Sequence, residues 1–315
     1  MSPLRPIHAR LLPATVTAAL ITAIAPATQS NADPGPVAAQ RDSIAIDSVD
    51  GVALRSAPAT PAEGTSGDEV VGMTDEIDTQ DFRVAGVTWD GDRTDVEAFV
   101  RTRDAETGAW TDWSLLEHEE GPDAASTEGA SARAGTQPLI ASESDGIQVR
   151  VESSGTKPSG LAVDLVDPGT SPADSTVDPV APGDSSSART SASGPSGDAD
   201  AAAPMPAVNS RADWGADESI RRGDPAYGQV KGAVVHHTAG VNAYTQDEVP
   251  ALLRAMYDYH VNSLGWDDIG YNVLVDKWGR LWEGRHGGLD QAVIGAQAAG
   301  VNSETFGISA MGNYD

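Results

Sequence analysis

Two adjacent histidines, His236 and His237, have the clearest chemical potential in this sequence of 315 residues. They follow the run 232–235, whose apolar residues are typical of a short β-strand. Imidazole is a common zinc ligand, and zinc lowers the pKa of bound water to about 7. Successive strand side chains point to opposite faces, so we expect at most one of the two to bind a metal. Taken alone, such a pair is more often structural.

The residues around this pair predict an α/β region over 207–315. Thr245 and Glu248 have the spacing of a capping box ahead of a helix, and Gly265 ends the helical region. Apolar side chains recur on that helix at the spacing of one buried face. Residues 271–283 read as a hairpin, and 306–311 as another buried strand. We therefore predict a mixed β-sheet flanked by helices.

A second folded region precedes it. Residues 147–151 and 161–165 place apolar side chains at every second position, as in strands with one buried face. This period predicts a small antiparallel β-sandwich domain over 72–168. Trp110 and Trp113 are expected to pack in its core, with a sugar-stacking surface as the alternative.

Composition separates these regions from segments without periodicity. A basic start and an apolar run predict a cleaved export signal, and hence a secreted or wall-associated protein without a later membrane span. Segments rich in Ala, Pro, Ser, Asp and Gly predict disorder. The predicted order is signal peptide 1–32, disordered segment 33–71, β-sandwich 72–168, disordered linker 169–206 and α/β region 207–315.

The charge and the cysteine count exclude several classes of function. Acidic residues number 47 and basic residues 20, a formal net charge of −27, which disfavours nonspecific binding to nucleic acid or anionic lipid. The chain has no cysteine, which excludes disulfides and thiolate metal ligands within it.

An ordered series of motifs surrounds the histidine pair. The series consists of Arg-Ala-Asp-Trp-Gly-Ala (211–216), Val-His-His-Thr-Ala-Gly (235–240), Tyr-His-Val (259–261), Gly-Trp-Asp-Asp-Ile-Gly-Tyr-Asn (265–272), Trp-Glu-Gly-Arg (282–285) and Gly-Ile-Ser-Ala-Met-Gly-Asn-Tyr (307–314). It resembles the peptidoglycan recognition proteins and the related phage-lysozyme-type N-acetylmuramoyl-L-alanine amidases. Several blocks in the right order are far more specific than one motif.

The resemblance implies an amidase-like fold and a Zn²⁺-dependent hydrolase that cuts the amide between N-acetylmuramic acid and L-alanine in peptidoglycan. It places a zinc ligand at His236 and a catalytic residue at Tyr271, whose phenol would orient water or stabilise the oxyanion. It makes substrate-binding candidates of four residues. These are His237, Thr238, Trp266 and Arg285.

Structural interpretations of these residues stay open. Trp266 is about as suited to packing under the loop after the helix as to contacting a ligand. Arg285 suits a stem-peptide carboxylate in bidentate geometry, but it could pair with Glu283 or Asp290 instead. His260 is expected in the core or behind the metal ligands.

The resemblance is incomplete in ways that bear on catalysis. A catalytic zinc needs three protein ligands, and the family's later histidine and its cysteine or aspartate are not found up to Asp315. We expect them beyond this residue, which makes the chain an inactive fragment of a longer enzyme. The alternative is a noncatalytic module that binds peptidoglycan, and a third possibility gives the main role to the β domain. Gln297 stands where the family often has a histidine. His286 and Gly287 stand where it often has a Gly-Trp pair linked to recognition of diaminopimelate-type stems, which leaves stem-peptide selectivity open.

Overall fold

The computed structural model describes five stretches of the chain. They are residues 36–46, 69–91, 96–154, 158–177 and 206–314. The predicted export signal and residues 178–205 of the predicted linker lie outside the described residues. All described residues belong to one compact unit, Asp33–Asp315.

The N-terminal region is an antiparallel β structure, as its alternating pattern predicts. Its strands are β1 (Gln40–Ala45), β2 (Glu69–Met73), β3 (Ile77–Asp90), β4 (Val96–Asp104), β5 (Ser114–Leu116), β6 (Ala134–Gly135), β7 (Leu139–Ser153) and β8 (Ser159–Asp167). The order across the sheet is β1-β8-β3-β7-β4-β5, with β2 also paired to β7 and β6 to β3. One short helix, α1 (Thr127–Ser131), lies between β5 and β6. The division of these strands into two sandwich layers stays a prediction.

Strand β1 corrects the expectation of disorder over 33–71. Residues Gln40–Ala45 pair with β8 along their whole length in antiparallel register. Ile44 is partly buried against the core of the β region. A strand with so few apolar residues gives little periodic signal in the sequence. It is held in the sheet by backbone hydrogen bonds to β8.

Trp110 and Trp113 differ from the predicted core residues. Both are only partly buried. The Arg101 guanidinium lies 4.9 Å from the ring centroid of Trp110 and 5.3 Å from that of Trp113, in cation–π contact. The core-packing interpretation is therefore wrong for these two side chains, since Trp89 fills the core in their place.

The C-terminal region contains a mixed sheet, as predicted. The elements of this region are β9 (Val208–Asn209), β10 (Gly232–His237), β11 (Ala239–Gly240), α2 (Val249–Asp258), β12 (Val273–Val275), β13 (Leu281–Glu283) and β14 (Thr305–Ala310). The sheet order is β10-β14-β12-β13-β9. The predicted hairpin is the antiparallel pair β12–β13, while β14 runs parallel to both β10 and β12. No helix in the described stretches has the length and apolar character needed to cross a membrane.

Helix α2 begins after the predicted capping residues. The Glu248 carboxylate accepts hydrogen bonds from the backbone N–H of Thr245 at 2.6 Å and from its hydroxyl at 2.9 Å. The helix continues into a π-helical turn, Tyr259–Ser263, and Gly265 follows with a φ of +79°. That left-handed conformation suits glycine, which explains why the helical region stops there.

The two regions share a core, which corrects the expectation that the linker separates them. On β8, Leu165 packs into the core of the β region, while its neighbour Val166 packs with residues of α2. Ile140 on β7 joins Val166 on that second face. Because adjacent strand residues point to opposite faces, the sheet buries both. Helix α2 is consequently buried nearly all round, and not along one stripe.

Candidate functional site

The site forms where three neighbouring strands meet. His236 stands near the end of β10, opposite Ser309 of β14, and Tyr271 stands two residues before β12. The rings of His236 and Tyr271 lie 5.8 Å apart between centroids. Since β14 pairs with both β10 and β12, it sets this separation.

His236 is suited to act as a metal ligand. Its Nε2 is buried and has no hydrogen-bond partner among the described residues. Burial lowers the pKa of the imidazole by disfavouring the charged form, although Glu120 acts in the opposite direction. A neutral imidazole with a free nitrogen is the form that binds metals.

His237 and Thr238 contact different neighbours from those of His236. The His237 ring packs edge-on against Tyr314, with centroids 6.4 Å apart. Thr238 is fully buried, and its hydroxyl accepts a hydrogen bond from the Gly312 amide at 2.8 Å. The structure thus gives Thr238 a role in fixing the end of β14. Substrate contact by either residue stays a prediction.

The Tyr271 hydroxyl contacts Glu119, a residue outside the motifs. The hydroxyl donates to the carboxyl group of Glu119 at 3.1 Å, and Glu119 lies in the loop after β5 of the N-terminal region. Tyr271 is 1% exposed and Glu119 is 4% exposed. Burial raises the pKa of Glu119 to about 8, with a further contribution from Glu120. The Tyr271 phenol stays protonated because burial raises its pKa well above the ordinary value.

Trp266 and His260 form a stacked pair behind Tyr271. Their rings lie 4.6 Å apart at an interplanar angle of 14°. Trp266 is 1% exposed and His260 is fully buried, which agrees with the packing interpretation of both. Burial, together with the nearby Arg285 cation, lowers the pKa of His260 to about 3, so the imidazole is neutral.

Arg285 is paired, but with neither of the two acids considered from the sequence. Its guanidinium makes a bidentate contact with the Glu128 carboxylate, Nη2 to Oε1 at 2.6 Å and Nη1 to Oε2 at 3.0 Å. Glu128 lies in α1 of the N-terminal region. The Arg285 Nε also donates to the Ile269 carbonyl at 3.0 Å, which fixes the plane of the guanidinium. This geometry is the one by which arginine grips a carboxylate.

Gln297 and His286, which depart from the family pattern, differ in their burial. Gln297 is fully buried, and its Nε2 donates to the Thr305 hydroxyl at 3.1 Å. His286 is partly exposed, and its backbone N–H donates to the Asp268 carboxylate at 2.9 Å. Gln297 therefore supports the start of β14, while the His286 ring remains accessible.

The fit of a zinc ion is partial. His236 offers one nitrogen, and no cluster of three or more His, Cys, Asp or Glu side chains able to hold a metal occurs among the described residues. A catalytic zinc needs three protein ligands. The described residues therefore do not fit a complete zinc site.

Comparisons with known proteins agree with this two-part organisation. A family model described as Rv3811 N-terminal galactose-binding domain-like matches residues 39–185, a range that includes β1. The N-terminal region is thus a galactose-binding-like domain.

The chain is also similar to peptidoglycan-recognition proteins and to an N-acetylmuramoyl-L-alanine amidase. Peptidoglycan-recognition protein SC1a of Drosophila melanogaster is 40% identical over 111 residues, which cover 34% of this chain and 56% of that protein. The N-acetylmuramoyl-L-alanine amidase of Homo sapiens is 36% identical over 113 residues, which cover 35% of this chain and 19% of that protein. The solved structure of bumblebee PGRP-SA has 30% identity and a TM-score of 0.31, covering 35% of this chain and 63% of that one.

About a third of this chain is similar in sequence to peptidoglycan-recognition proteins and to an N-acetylmuramoyl-L-alanine amidase, which confirms the resemblance seen in its motifs. The chain spans little more than half the length of the recognition protein SC1a.

Proposed function

We propose that this chain is a secreted peptidoglycan-binding protein whose C-terminal region recognises the muropeptide. The observation that carries the proposal is the relationship to recognition proteins, 40% identical over 111 residues. The geometry supports it, because His236, Tyr271 and Arg285 come from separate motifs and lie around one sheet edge and the loops beside it.

Each of these groups suits a part of a muropeptide. The Arg285 guanidinium holds a carboxylate in bidentate geometry, and stem peptides carry carboxylates. The partly exposed ring of His237 offers a polar edge to a glycan or peptide amide. The net charge of −27 makes nonspecific electrostatic capture of the acidic polymer unfavourable, so recognition depends on these specific contacts.

We expect the chain to co-sediment with purified insoluble peptidoglycan and to be released by soluble muropeptide monomers. Hydrogen–deuterium exchange in the complex should show protection at residues 235–238, 265–272 and 282–286. A His237→Ala variant should bind several-fold more weakly, whereas Glu106→Gln, an exposed position of the N-terminal region, should bind unchanged. Protection confined to residues 96–153 would instead assign binding to the galactose-binding-like domain.

A zinc-dependent N-acetylmuramoyl-L-alanine amidase is the second candidate. It is favoured by the free Nε2 of His236 beside the Tyr271 ring. When bound, zinc would polarise the scissile carbonyl and supply hydroxide. Because no cluster of three potential ligands occurs among the described residues, hydrolysis by this chain does not follow from its geometry.

We expect the 315-residue chain to bind zinc weakly and to release no peptide from peptidoglycan. Isothermal titration should show that His236→Ala abolishes the weak binding, since it removes the free Nε2 of His236 beside the Tyr271 ring. His237→Ala is the matched control and should retain it, because the two imidazoles contact different residues. Equal zinc affinity in the two variants would remove His236 from the metal site.

A further inference from the structure

A single segment of the galactose-binding-like domain covers the candidate site. Residues 119–133, here called the covering segment, run from the loop after β5 through α1 to the start of β6. The segment contacts the C-terminal region at its two ends and in its middle. Outside the site itself, the Asn302 Nδ2 donates to the Gly121 carbonyl at 3.0 Å and to the Asp123 carboxylate at 3.1 Å. The Gly300 N–H also donates to the Asp123 carboxylate. At the other end of the segment, the Arg133 N–H donates to the Leu264 carbonyl at 2.8 Å.

The first end of the segment closes the tyrosine. Glu119 accepts the hydrogen bond from the Tyr271 hydroxyl, and both residues are more than nine-tenths buried. A phenol that is to contact a substrate carbonyl must have that hydroxyl free. In the observed conformation the hydroxyl is already engaged and is shielded from solvent.

The middle of the segment holds the arginine. Glu128 places both carboxylate oxygens on Arg285, and its Oε1 also accepts from the Asp267 N–H at 3.0 Å. The side chains of Arg285 and Glu128 are 7% and 12% exposed. Glu128 therefore fills the position that a stem-peptide carboxylate would take on this guanidinium.

A cavity lies beside this ion pair. Its volume is about 310 Å³, and its walls include Pro122, Glu128, Asp267, Arg285, His286 and Asn302. The covering segment forms one wall, and the C-terminal region forms the other. Displacement of the segment would remove one wall of this cavity and free the Arg285 guanidinium from Glu128.

We propose that the covering segment is an intramolecular lid that competes with peptidoglycan for Tyr271 and Arg285. The proposal rests on the proposed function and adds a mode of regulation to it. Two carboxyl groups of one segment engage two residues of the site at once, so the closed state lacks both contacts for a ligand. The apparent affinity is then the intrinsic affinity reduced by the fraction of molecules in which the segment is displaced.

The test compares muropeptide binding in variants that loosen the lid. Isothermal titration at pH 7 would use a purified diaminopimelate-type muropeptide monomer and the complete chain. Glu128→Gln removes the charge that holds Arg285, and we expect the dissociation constant to fall by about tenfold or more. Asp123→Ala breaks the contacts to Gly300 and Asn302 without touching Tyr271 or Arg285, and should act in the same direction. Glu106→Gln should leave the affinity unchanged, because that side chain is exposed and outside the segment.

Hydrogen–deuterium exchange of residues 119–133 gives a readout that does not need the ligand. Faster exchange in Glu128→Gln and Asp123→Ala, together with tighter binding, supports the lid. Faster exchange with unchanged or weaker binding overturns it, and so does tighter binding with unchanged exchange. If no form, including Glu128→Gln, binds the monomer or insoluble peptidoglycan, the proposed function fails and the lid fails with it. Binding by the parent chain with no gain in either variant rejects the lid alone.

Discussion

A Glu119→Gln variant should be about as stable as the parent chain at pH 4 and considerably more stable at pH 9. Burial raises the pKa of Glu119 to about 8 from an ordinary value of 4.5, with Glu120 adding to the shift. Between these two values the folded chain binds a proton that the unfolded chain has released. The free energy of unfolding therefore falls as pH rises through this window, by about 1.4 kcal/mol per pH unit for this group.

The full difference between Glu119→Gln and the parent chain amounts to on the order of 5 kcal/mol and levels off above pH 8. Glutamine keeps the acceptor for the Tyr271 hydroxyl but has no charge to bury. Urea denaturation at pH 4, 6, 8 and 9 would measure the difference. Glu106→Gln is the control, and its difference from the parent should not change with pH. A constant difference for Glu119→Gln across the same range would show that the carboxyl group is ionised in the folded protein.

Replacing Asp174 by alanine should destabilise the chain by about 3–5 kcal/mol, because it leaves a buried guanidinium without its carboxylate. The side chain of Arg254 on α2 is 2% exposed, and its two Nη atoms donate to the two Asp174 oxygens at 2.7 and 2.9 Å. Arg254 also donates to the carbonyls of Gly169 and Trp214. The pair thus joins the end of the galactose-binding-like domain to the helix behind the site.

Two comparisons separate this effect from a general loss of stability. Glu304→Ala breaks an exposed pair with Lys231 and should cost less than about 1 kcal/mol. The double variant Arg254→Met/Asp174→Ala removes the buried cation as well, so it should be less destabilised than Asp174→Ala. Urea denaturation of the parent chain and the three variants would measure these free energies of unfolding. A double variant as unstable as Asp174→Ala would mean that the loss does not come from an unpaired buried charge.

In the proposed lid, residues of both regions meet at the same site. Glu119 and Glu128 come from the galactose-binding-like domain and engage Tyr271 and Arg285 of the C-terminal region. Those contacts keep the site closed, and Asp174 holds the helix that supports it. In the proposed function, peptidoglycan recognition is then controlled by a domain that the motifs do not include.

Local features of this site are predictable from the amino-acid sequence. Strand alternation predicted that His236 and His237 point to opposite faces, and their rings contact different neighbours. The spacing of Thr245 and Glu248 predicted a helix after these residues, and α2 begins at Val249. These signals succeed because they depend on periods and caps of a few residues, which the backbone geometry of each element fixes. The ordered motifs likewise placed His236, Tyr271 and Arg285 in one family pattern.

The contacts that those residues make depend on how distant parts of the chain pack together. Tyr271 and Glu119 are 152 positions apart, and Arg285 and Glu128 are 157 positions apart. The contacts exist because α2 packs on the second face of the β sheet, which brings the loop after β5 onto the site. Isolated glutamates in an acidic chain carry no periodic signal that predicts such partners. The chemistry of the residues was therefore readable from the sequence, whereas the closure of the site depends on the packing of one domain against the other.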